Sequence, residues 1–480
     1  MKRNSKIIVV SIISGFICIL MYFLSQMIVI EREHIYILCS LITFIYFFTL
    51  KQTVDCNGTM SLVTLFWICL GLFAIARPIM YVLGMLDFTN EVYSIIGKFQ
   101  WSYNTTVTVL HAYIIFMIVF ANINCAGKEQ EKTIIRFYEK ESLFKPFLKI
   151  MYFVFYICVP IVAYNYFAQV FIVRKLGYTS YYNGSALKAL SFGIVFSLAR
   201  LALTVSFYVI CCTEKRIRYF DLASVIYLLT NGVLVLQGSR AAFLVSLLTY
   251  IFLRYRIHGK IIKFKWFFLA FLLAIPLLQM ISYIRSNETP TLNMIPNSYR
   301  DFFSELSLSF NVPAYYLEHK NELSGNTYPY IFEPLVKAFQ YFKYKNIYTS
   351  GQSTAMVAVR FNLGHQITNN ISESYYLSGS NVASNFIAEM LEFGLVGVLL
   401  FSIVVSKIIG FSERKIITGG LFMRYMSFEL CRWVFLLPRS ETFYDTYSLL
   451  KYGLIFLIMI IIARIIRVKG KNKNEELQRN

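Results

Sequence analysis

The chain has 480 residues, of which 57% are hydrophobic and only 15% charged. This balance excludes an ordinary soluble domain and indicates an integral membrane protein. The formal net charge of +20 would favour a nucleic-acid partner in a soluble chain, but here it has another explanation, given below. The nine cysteines show no spacing typical of a disulfide framework or a zinc site.

Apolar runs long enough to cross a hydrocarbon core of about 30 Å, which takes roughly 20 helical residues, recur along the chain. The first follows a basic N-terminus, and we interpret it as a retained anchor because its apolar run is too long for a secretory signal. The pattern predicts about twelve transmembrane helices: Ile7–Ile30, His34–Leu50, Met60–Leu86, Asn104–Ile123, Leu148–Val173, Leu187–Cys212, Phe220–Leu236, Ala241–Leu253, Phe264–Tyr283, Ser384–Gly410, Ile416–Leu437 and Tyr452–Arg467.

A polar stretch of about a hundred residues separates the ninth predicted span from the tenth, far longer than a connection requires. Ser298–Lys320 and Pro329–Phe342 have the spacing of short amphipathic helices. The predicted organisation is a nine-span bundle (residues 1–285), a loop subdomain (286–383), a three-span bundle (384–468) and a basic tail (469–480).

Basic residues cluster in alternate turns, for example at Lys215, Arg216 and Arg218 and again from Arg254 to Lys265. Because cytoplasmic loops are enriched in Lys and Arg, this pattern places both termini in the cytoplasm and the long loop outside. The net charge is therefore a topology signal and not a nucleic-acid surface.

The long loop is rich in aromatic residues, and two interpretations are open. The rings can pack the loop against the bundle, or they can stack on the apolar faces of sugars. The residues concerned are Tyr299, Phe302, Phe303, Tyr315, Tyr316, Tyr328, Tyr330, Tyr341, Phe342, Tyr344, Tyr348, Tyr375 and Tyr376.

Four arginines, Arg77, Arg200, Arg424 and Arg432, lie inside predicted spans. An arginine at the centre of a span costs roughly 2.5–3.5 kcal/mol on insertion scales. Either they line a cavity for an anionic group, or they pair with acidic residues such as Glu429.

Arg240 belongs to the turn between the seventh and eighth predicted spans. The apolar part of the eighth span, Ala241–Leu253, would be only about 20 Å long at 1.5 Å per residue. We therefore expect the turn to lie near lipid phosphates, where the arginine fork matches phosphate oxygens. The alternative is an arginine on ordinary lipid headgroups.

The tenth predicted span carries two carboxylates, Glu389 and Glu392, which a continuous helix would place on one face. They are expected either to pair with an arginine such as Arg432 or Arg240, or to act in catalysis. Gly394 and Gly397 predict close contact with another helix. His365 in the long loop is either a packed histidine or a general base.

These features resemble the Wzy family, the polymerases of O-antigen and capsule repeat units. The resemblance rests on the segment 237–242 that opens a span, on residues 379–397, and on the layout of spans around one exterior loop. The spacing of an arginine eleven residues before a glycine, found in the exterior loops of some members, is absent after Arg240, Arg285 and Arg360.

The resemblance implies an all-α polytopic membrane protein with a GT-C-like helical bundle in the bacterial cytoplasmic membrane. Its substrate would be an oligosaccharide linked to undecaprenyl pyrophosphate, which leaves as the chain grows by one unit. The implied pyrophosphate ligands are Arg240 first, then Arg432 and Arg360, with Arg285 as a further candidate, and the implied base is Glu389 or His365.

No metal or other cofactor is expected, because the loop has no Asp-rich motif. The expected partners are the lipid-linked oligosaccharide, membrane lipids, and a chain-length regulator and flippase of the same pathway, with no nucleic acid. Three alternatives remain: an O-antigen ligase, a lipid-linked oligosaccharide flippase, and a membrane acyltransferase, for which His111 is the mid-span candidate.

Overall fold

The protein was analysed as a computed structural model, in which almost all described residues are helical. Seven helices within the described part of the chain are long and apolar enough to cross a membrane, and Val9–Ser25 and Thr446–Ile461 are shorter apolar helices. This confirms a polytopic helical membrane protein, while the count of about twelve spans stays a prediction. The structure describes residues 2–25, 31–87, 90–93, 97–125, 145–176, 193–236, 240–259, 269, 272–273, 275–276, 278–280, 295–323, 328–340, 352–359, 362–377, 384–443 and 446–461.

The N-terminal part of the bundle follows the predicted order of spans, because each apolar run satisfies its backbone groups internally as a helix. Of the ninth predicted span, only residues between 269 and 280 are described, and these are helical. The helices are α1 (Lys2–Ser25), α2 (Glu31–Asn57), α3 (Leu62–Leu70), α4 (Ala76–Val82), α5 (Tyr103–Asn124), α6 (Lys145–Leu176), α7 (Ile194–Thr213), α8 (Ile217–Leu236) and α9 (Arg240–His258).

The third predicted span is irregular in the middle. A π-helical turn, Gly71–Ile75, separates α3 from α4, and such a turn frees backbone carbonyls from the regular helical pattern. One of these carbonyls, that of Phe73, accepts a hydrogen bond from the Ser309 hydroxyl at 2.6 Å. The irregular turn therefore holds a residue of the long loop.

A short antiparallel hairpin lies between α4 and α5 and was not predicted. Its strands are β1 (Asn90–Tyr93) and β2 (Gly97–Gln100), with Asn90 opposite Gln100. Strands of four residues contain no long apolar run, so the hydropathy pattern does not predict them. The all-α prediction is therefore correct except for this hairpin.

The described residues of the long polar stretch form six helices and two 3-10 turns. These elements pack against one end of the bundle, which we call the loop end. The helical spacing predicted for Ser298–Lys320 and from Pro329 onward is confirmed, although 3-10 turns interrupt both segments. The elements are α10 (Ile295–Leu306), a 3-10 turn (Ser307–Asn311), α11 (Val312–His319), a 3-10 turn (Tyr330–Phe332), α12 (Glu333–Gln340), α13 (Thr354–Ala358), α14 (Leu363–Ile371) and α15 (Glu373–Leu377).

Several side chains of the loop helices belong to the protein core. Phe302, Phe310 and Ile331 are buried in the same hydrophobic cluster as the membrane helices. Tyr316 and Tyr330 are buried in a second cluster, which joins the loop helices to Ala388. For these rings the packing interpretation holds, because a buried face cannot stack on a sugar.

The tenth predicted span is not one continuous helix. It comprises α16 (Phe386–Met390), a 3-10 turn (Leu391–Phe393) and α17 (Gly394–Thr418). Gly394 has a φ of 66°, a left-handed conformation that favours glycine. A Cβ atom on Gly397 would lie 2.5 Å from the Met390 carbonyl. Gly397 thus permits a close approach to the end of α16, whereas Gly394 permits the left-handed backbone of the break, and contact of these glycines with a more distant helix stays a prediction.

The eighth span is longer than its apolar run suggests. Helix α9 has 19 residues, about 28 Å at 1.5 Å per residue, because it continues through Arg254 and Arg256. Arg254 pairs with Asp221 at 2.9 Å, and Arg256 forms a buried ion pair with Glu413. The helix therefore exceeds its short apolar run only by including charged flanking residues, both of which have acidic partners. The depth of the turn before Arg240 stays a prediction.

The C-terminal part of the bundle contains α18 (Leu421–Leu436), a 3-10 turn (Leu437–Arg439) and α19 (Thr446–Ile461). Since α17 begins at the loop end, its residue Glu413 lies toward the opposite end. The partner of Glu413 is near the C-terminus of α9. The first residue of α9, Arg240, therefore lies at the loop end of the bundle.

Candidate functional site

Glu389 lies at the loop end with its carboxylate fully buried. Its Oε2 accepts a hydrogen bond from the Thr442 backbone N–H at 2.7 Å. Its Oε1 has no hydrogen-bond partner among the described residues. A second buried carboxylate, Glu441, is close enough to interact electrostatically with Glu389. A buried acceptor without a partner is rare in folded proteins and is a common feature of functional sites.

The segment before Glu389 is fixed by Asn385, whose side chain is fully buried. Its Nδ2 donates to the Tyr113 hydroxyl and to the Ser309 carbonyl, each at 2.8 Å. Its Oδ1 accepts the Ile387 N–H at 2.8 Å and so caps α16. The Ser309 hydroxyl also contacts the Pro438 carbonyl, at 3.1 Å.

We call the meeting point of these residues the junction; it comprises Phe73, Tyr113, Ser309, Asn385, Glu389, Pro438 and Thr442. Its hydrogen bonds connect the π-helical turn, α5, the long loop, α16 and the turn after α18. The junction therefore fixes the start of α16 through several elements, while the Glu389 carboxylate itself is held by Thr442.

Glu392 lies in the 3-10 turn that follows α16. Its Oε2 accepts the Tyr330 backbone N–H at 2.5 Å, whereas Glu389 is bonded to Thr442. The two carboxylates are close enough to interact electrostatically. Their expected position on one face stays a prediction, and the bond to Tyr330 shows that Glu392 also holds the loop.

His365 is buried in α14 of the long loop. The side chain of Asn362 caps this helix and accepts the His365 N–H at 2.7 Å. The ring Nδ1 lies 3.1 Å from the Tyr376 hydroxyl. Burial raises the pKa of Tyr376 to about 12, so that its hydroxyl keeps its proton at neutral pH. These contacts fit a packed histidine whose orientation is fixed by a tyrosine.

Arg432 lies within the bundle, in α18. Both Arg432 and the buried Glu429 interact electrostatically with Tyr208 and Tyr227. The Tyr425 hydroxyl donates to Glu429 at 3.0 Å. Arg432 thus shares a polar cluster with Glu429 of its own helix. Glu389, for which Arg432 was an expected partner, accepts its hydrogen bond from Thr442 instead.

The other predicted arginines have different surroundings. Arg77 and Arg424 are buried, and Arg424 donates to the Gly419 carbonyl at 3.4 Å, whereas Arg200 is exposed. Arg240 is the first residue of α9. Arg285 and Arg360 lie outside the described residues.

Two charged residues near the junction were missed. Arg439 lies with its guanidinium 5.4 Å from the centre of the Phe73 ring, and Glu441 is buried beside Glu389. Both belong to the short turn after Leu437. Charged residues in a short connection between two spans often belong to a functional site, and this signal could have indicated Arg439 and Glu441.

No group of three His, Cys, Asp or Glu side chains that could hold a metal ion occurs within the described part of the chain.

Comparison with known proteins gives one match. The family model described as O-antigen polysaccharide polymerase Wzy matches residues 7–472, nearly the whole chain. No curated protein and no solved structure matches the chain.

Proposed function

The chain belongs to the O-antigen polysaccharide polymerase Wzy family, and from this premise we propose that it joins lipid-linked oligosaccharide repeat units into a surface polysaccharide. The donor is an oligosaccharide on undecaprenyl pyrophosphate. The reaction takes place at the outer face of the bacterial cytoplasmic membrane, with both termini in the cytoplasm. The match over residues 7–472 is the observation that carries this proposal.

In the proposed reaction, a sugar hydroxyl of one lipid-linked unit attacks the anomeric carbon of the growing chain. The bond between this carbon and the pyrophosphate oxygen breaks, and undecaprenyl pyrophosphate leaves with the electron pair. The hydroxyl proton passes to a carboxylate. The leaving group arrives with the lipid, so the reaction gains most from cations on the departing pyrophosphate and from positioning of both substrates.

Glu389 is the proposed base. Its Oε2 is held by Thr442, which leaves Oε1 to accept a proton. Because the carboxylate is buried in the structure, the loop helices must move when the acceptor binds, as lids do in many enzymes. For His365 we propose a structural role in place of that of a base, because its ring is buried against Tyr376 within the loop.

Arg240 is the proposed pyrophosphate ligand. It is the first residue of α9, and backbone N–H groups at a helix N-terminus favour anions. Arg240 and Glu389 lie at the same end of the bundle, the loop end. Arg360 and Arg285 remain proposed further ligands, while the polar cluster around Arg432 favours a structural role for that residue.

The function is tested by the glycan profile of a strain lacking this protein. Loss of long chains with one repeat still attached to the acceptor is the expected result. Loss of all attached repeats would instead identify a ligase or flippase. Unchanged chain lengths would contradict the polymerase function and both of these alternatives.

The proposed base is tested with Glu389→Gln. Glutamine keeps an acceptor for Thr442 but cannot take up the proton, so we expect polymer formation to fall about 10²-fold, the lower end of general-base effects. His365→Gln is the matched comparison and should retain most activity. Polymerisation is measured with purified protein in nanodiscs and a lipid-linked repeat unit. If Glu389→Gln is active and His365→Gln is not, the assignment is reversed.

A further inference from the structure

A cavity of about 950 Å³ opens at the loop end, and none of the residues that line it belongs to the junction. It lies between the start of α2, the residues after α4, and α10 of the long loop. Charged and aromatic side chains from all three elements line it, among them Arg32, Glu33, Tyr36, Tyr81, Asp87 and Arg300.

Two guanidinium groups face this cavity from distant parts of the sequence. Arg32 is in the first turn of α2, and Arg300 is in α10 of the long loop. Both are exposed, and Arg32 also interacts with the Tyr81 hydroxyl. Arginine presents a planar fork of donors that matches phosphate oxygens, so two of them on one cavity favour a phosphate-bearing ligand.

The cavity is also lined by carboxylates and tyrosines, which are not needed to bind a simple phosphate ion. Glu33 and Asp87 line it together with Tyr36 and Tyr81. Carboxylates accept hydrogen bonds from hydroxyl groups, and aromatic rings pack against apolar ring faces. Arginines, carboxylates and tyrosines on one cavity therefore fit a sugar joined to a phosphate better than a simple anion.

An apolar stripe leads from this cavity along α2. Ile37 lines the cavity, and Leu41, Phe44 and Phe48 follow on the same helix face at intervals of three or four residues. All four side chains are exposed. The helix is a candidate membrane span, so this face lies against hydrocarbon. A ligand with its polar head in the cavity would thus have a surface for a long apolar tail.

We infer that this cavity holds the sugar-diphosphate head of a second lipid-linked oligosaccharide, with its polyprenyl tail along α2. The inference rests on the proposed function, because that reaction joins two lipid-linked molecules. Arg240 and Glu389 belong to α9 and α16, whereas the cavity is built from α2, the end of α4 and α10. Separate elements allow both molecules to be bound at once.

The test measures binding and not polymerisation. Purified protein in nanodiscs of neutral lipid is titrated with a polyprenyl diphosphate that carries a disaccharide, and bound ligand is counted by native mass spectrometry. Arg32→Ala and Arg300→Ala should each weaken binding of one of two ligand molecules about tenfold, the loss of one charge-assisted contact. Lys320→Ala, an exposed cation outside the cavity, should bind normally.

Met85→Trp provides a second test, since this exposed side chain lines the cavity and a bulkier side chain would take up part of the space without removing a charge. It should weaken binding of one of the two ligand molecules. Unchanged binding in all three cavity variants would overturn the inference. Equal competition by phosphatidylglycerol, or equal binding of inorganic diphosphate alone, would also overturn it, because the site would then recognise any anionic lipid or any phosphate.

The two proposals can fail separately. If the deletion strain keeps its long chains while the cavity variants lose binding, the polymerase function is wrong and the lipid site stands. If long chains are lost in the deletion strain but the cavity variants bind two ligands, the site is wrong and the function stands.

Discussion

Arg240→Ala should abolish long polysaccharide chains while single repeats stay attached to the acceptor. The departing pyrophosphate accumulates negative charge as its bond to the sugar breaks, and removing one donor to such a charge costs about 10²–10³ in rate. Arg240 begins α9 at the loop end, so the change leaves the apolar face of that helix intact. Chain-length distribution on gels, together with protein abundance in the membrane, measures the effect.

Arg240→Lys is the informative companion. Lysine keeps the charge but not the planar fork, so it should restore part of the polymer if the ligand is a diphosphate held by two oxygens. Normal chain lengths in the alanine variant, or labelling of residue 240 from the cytoplasmic side, would exclude the proposed role of Arg240.

Glu413→Ala should strongly destabilise the folded protein. Glu413 and Arg256 form a buried ion pair between α17 and α9, and Glu413 Oε2 also accepts the Val63 N–H of α3 at 3.4 Å. Removing one member of such a pair leaves an uncompensated buried charge, which costs about 3–5 kcal/mol. The thermal midpoint of purified protein in nanodiscs should fall, with less protein recovered from membranes.

Two controls separate the buried charge from a general effect of mutation. The double variant Arg256→Met with Glu413→Leu replaces the pair by apolar groups and should recover most of the lost stability, because an apolar replacement avoids the cost of desolvating two charges. Asp221→Asn breaks the partly exposed pair with Arg254 and should cost less than about 1 kcal/mol. Equal destabilisation by Asp221→Asn and Glu413→Ala would show that burial of the pair is not the cause.

Hydropathy alone could predict most of the membrane helices, because the bilayer requires long apolar runs and helices satisfy their own backbone groups. It could not predict the π-helical turn at Gly71–Ile75, which lies within uninterrupted apolar sequence, or the break after Met390, which depends on how Leu391–Phe393 packs. The position of Gly394 was visible, but its left-handed conformation depends on packing. Helix α9 was predicted too short because Arg254 and Arg256 were treated as flanking charges, and their partners are distant in sequence.

The candidate site could be predicted only in part. Glu389 stood out as a carboxylate at the start of an apolar run, but its bond to Thr442 joins residues that are separated in sequence by two helices, α17 and α18. Glu441 and Arg439 were missed for the same reason, since only the fold brings their turn to α16. No sequence pattern links Arg32 to Arg300, and the two residues come together only because their helices line the same cavity.

The burial of loop side chains such as Phe302 and Phe310 among the membrane helices limits how the long loop can be exchanged between related proteins. A graft that exchanges residues 286–383 between two such proteins would cut through shared packing and through the bonds of Ser309 to Phe73 and Pro438. Chimeras built at the ends of that stretch should therefore fail to assemble, whereas hybrids that also carry over the π-helical turn and the segment 437–442 should fold. The stretch 286–383 is accordingly part of the packed membrane scaffold and cannot be exchanged as a separate unit.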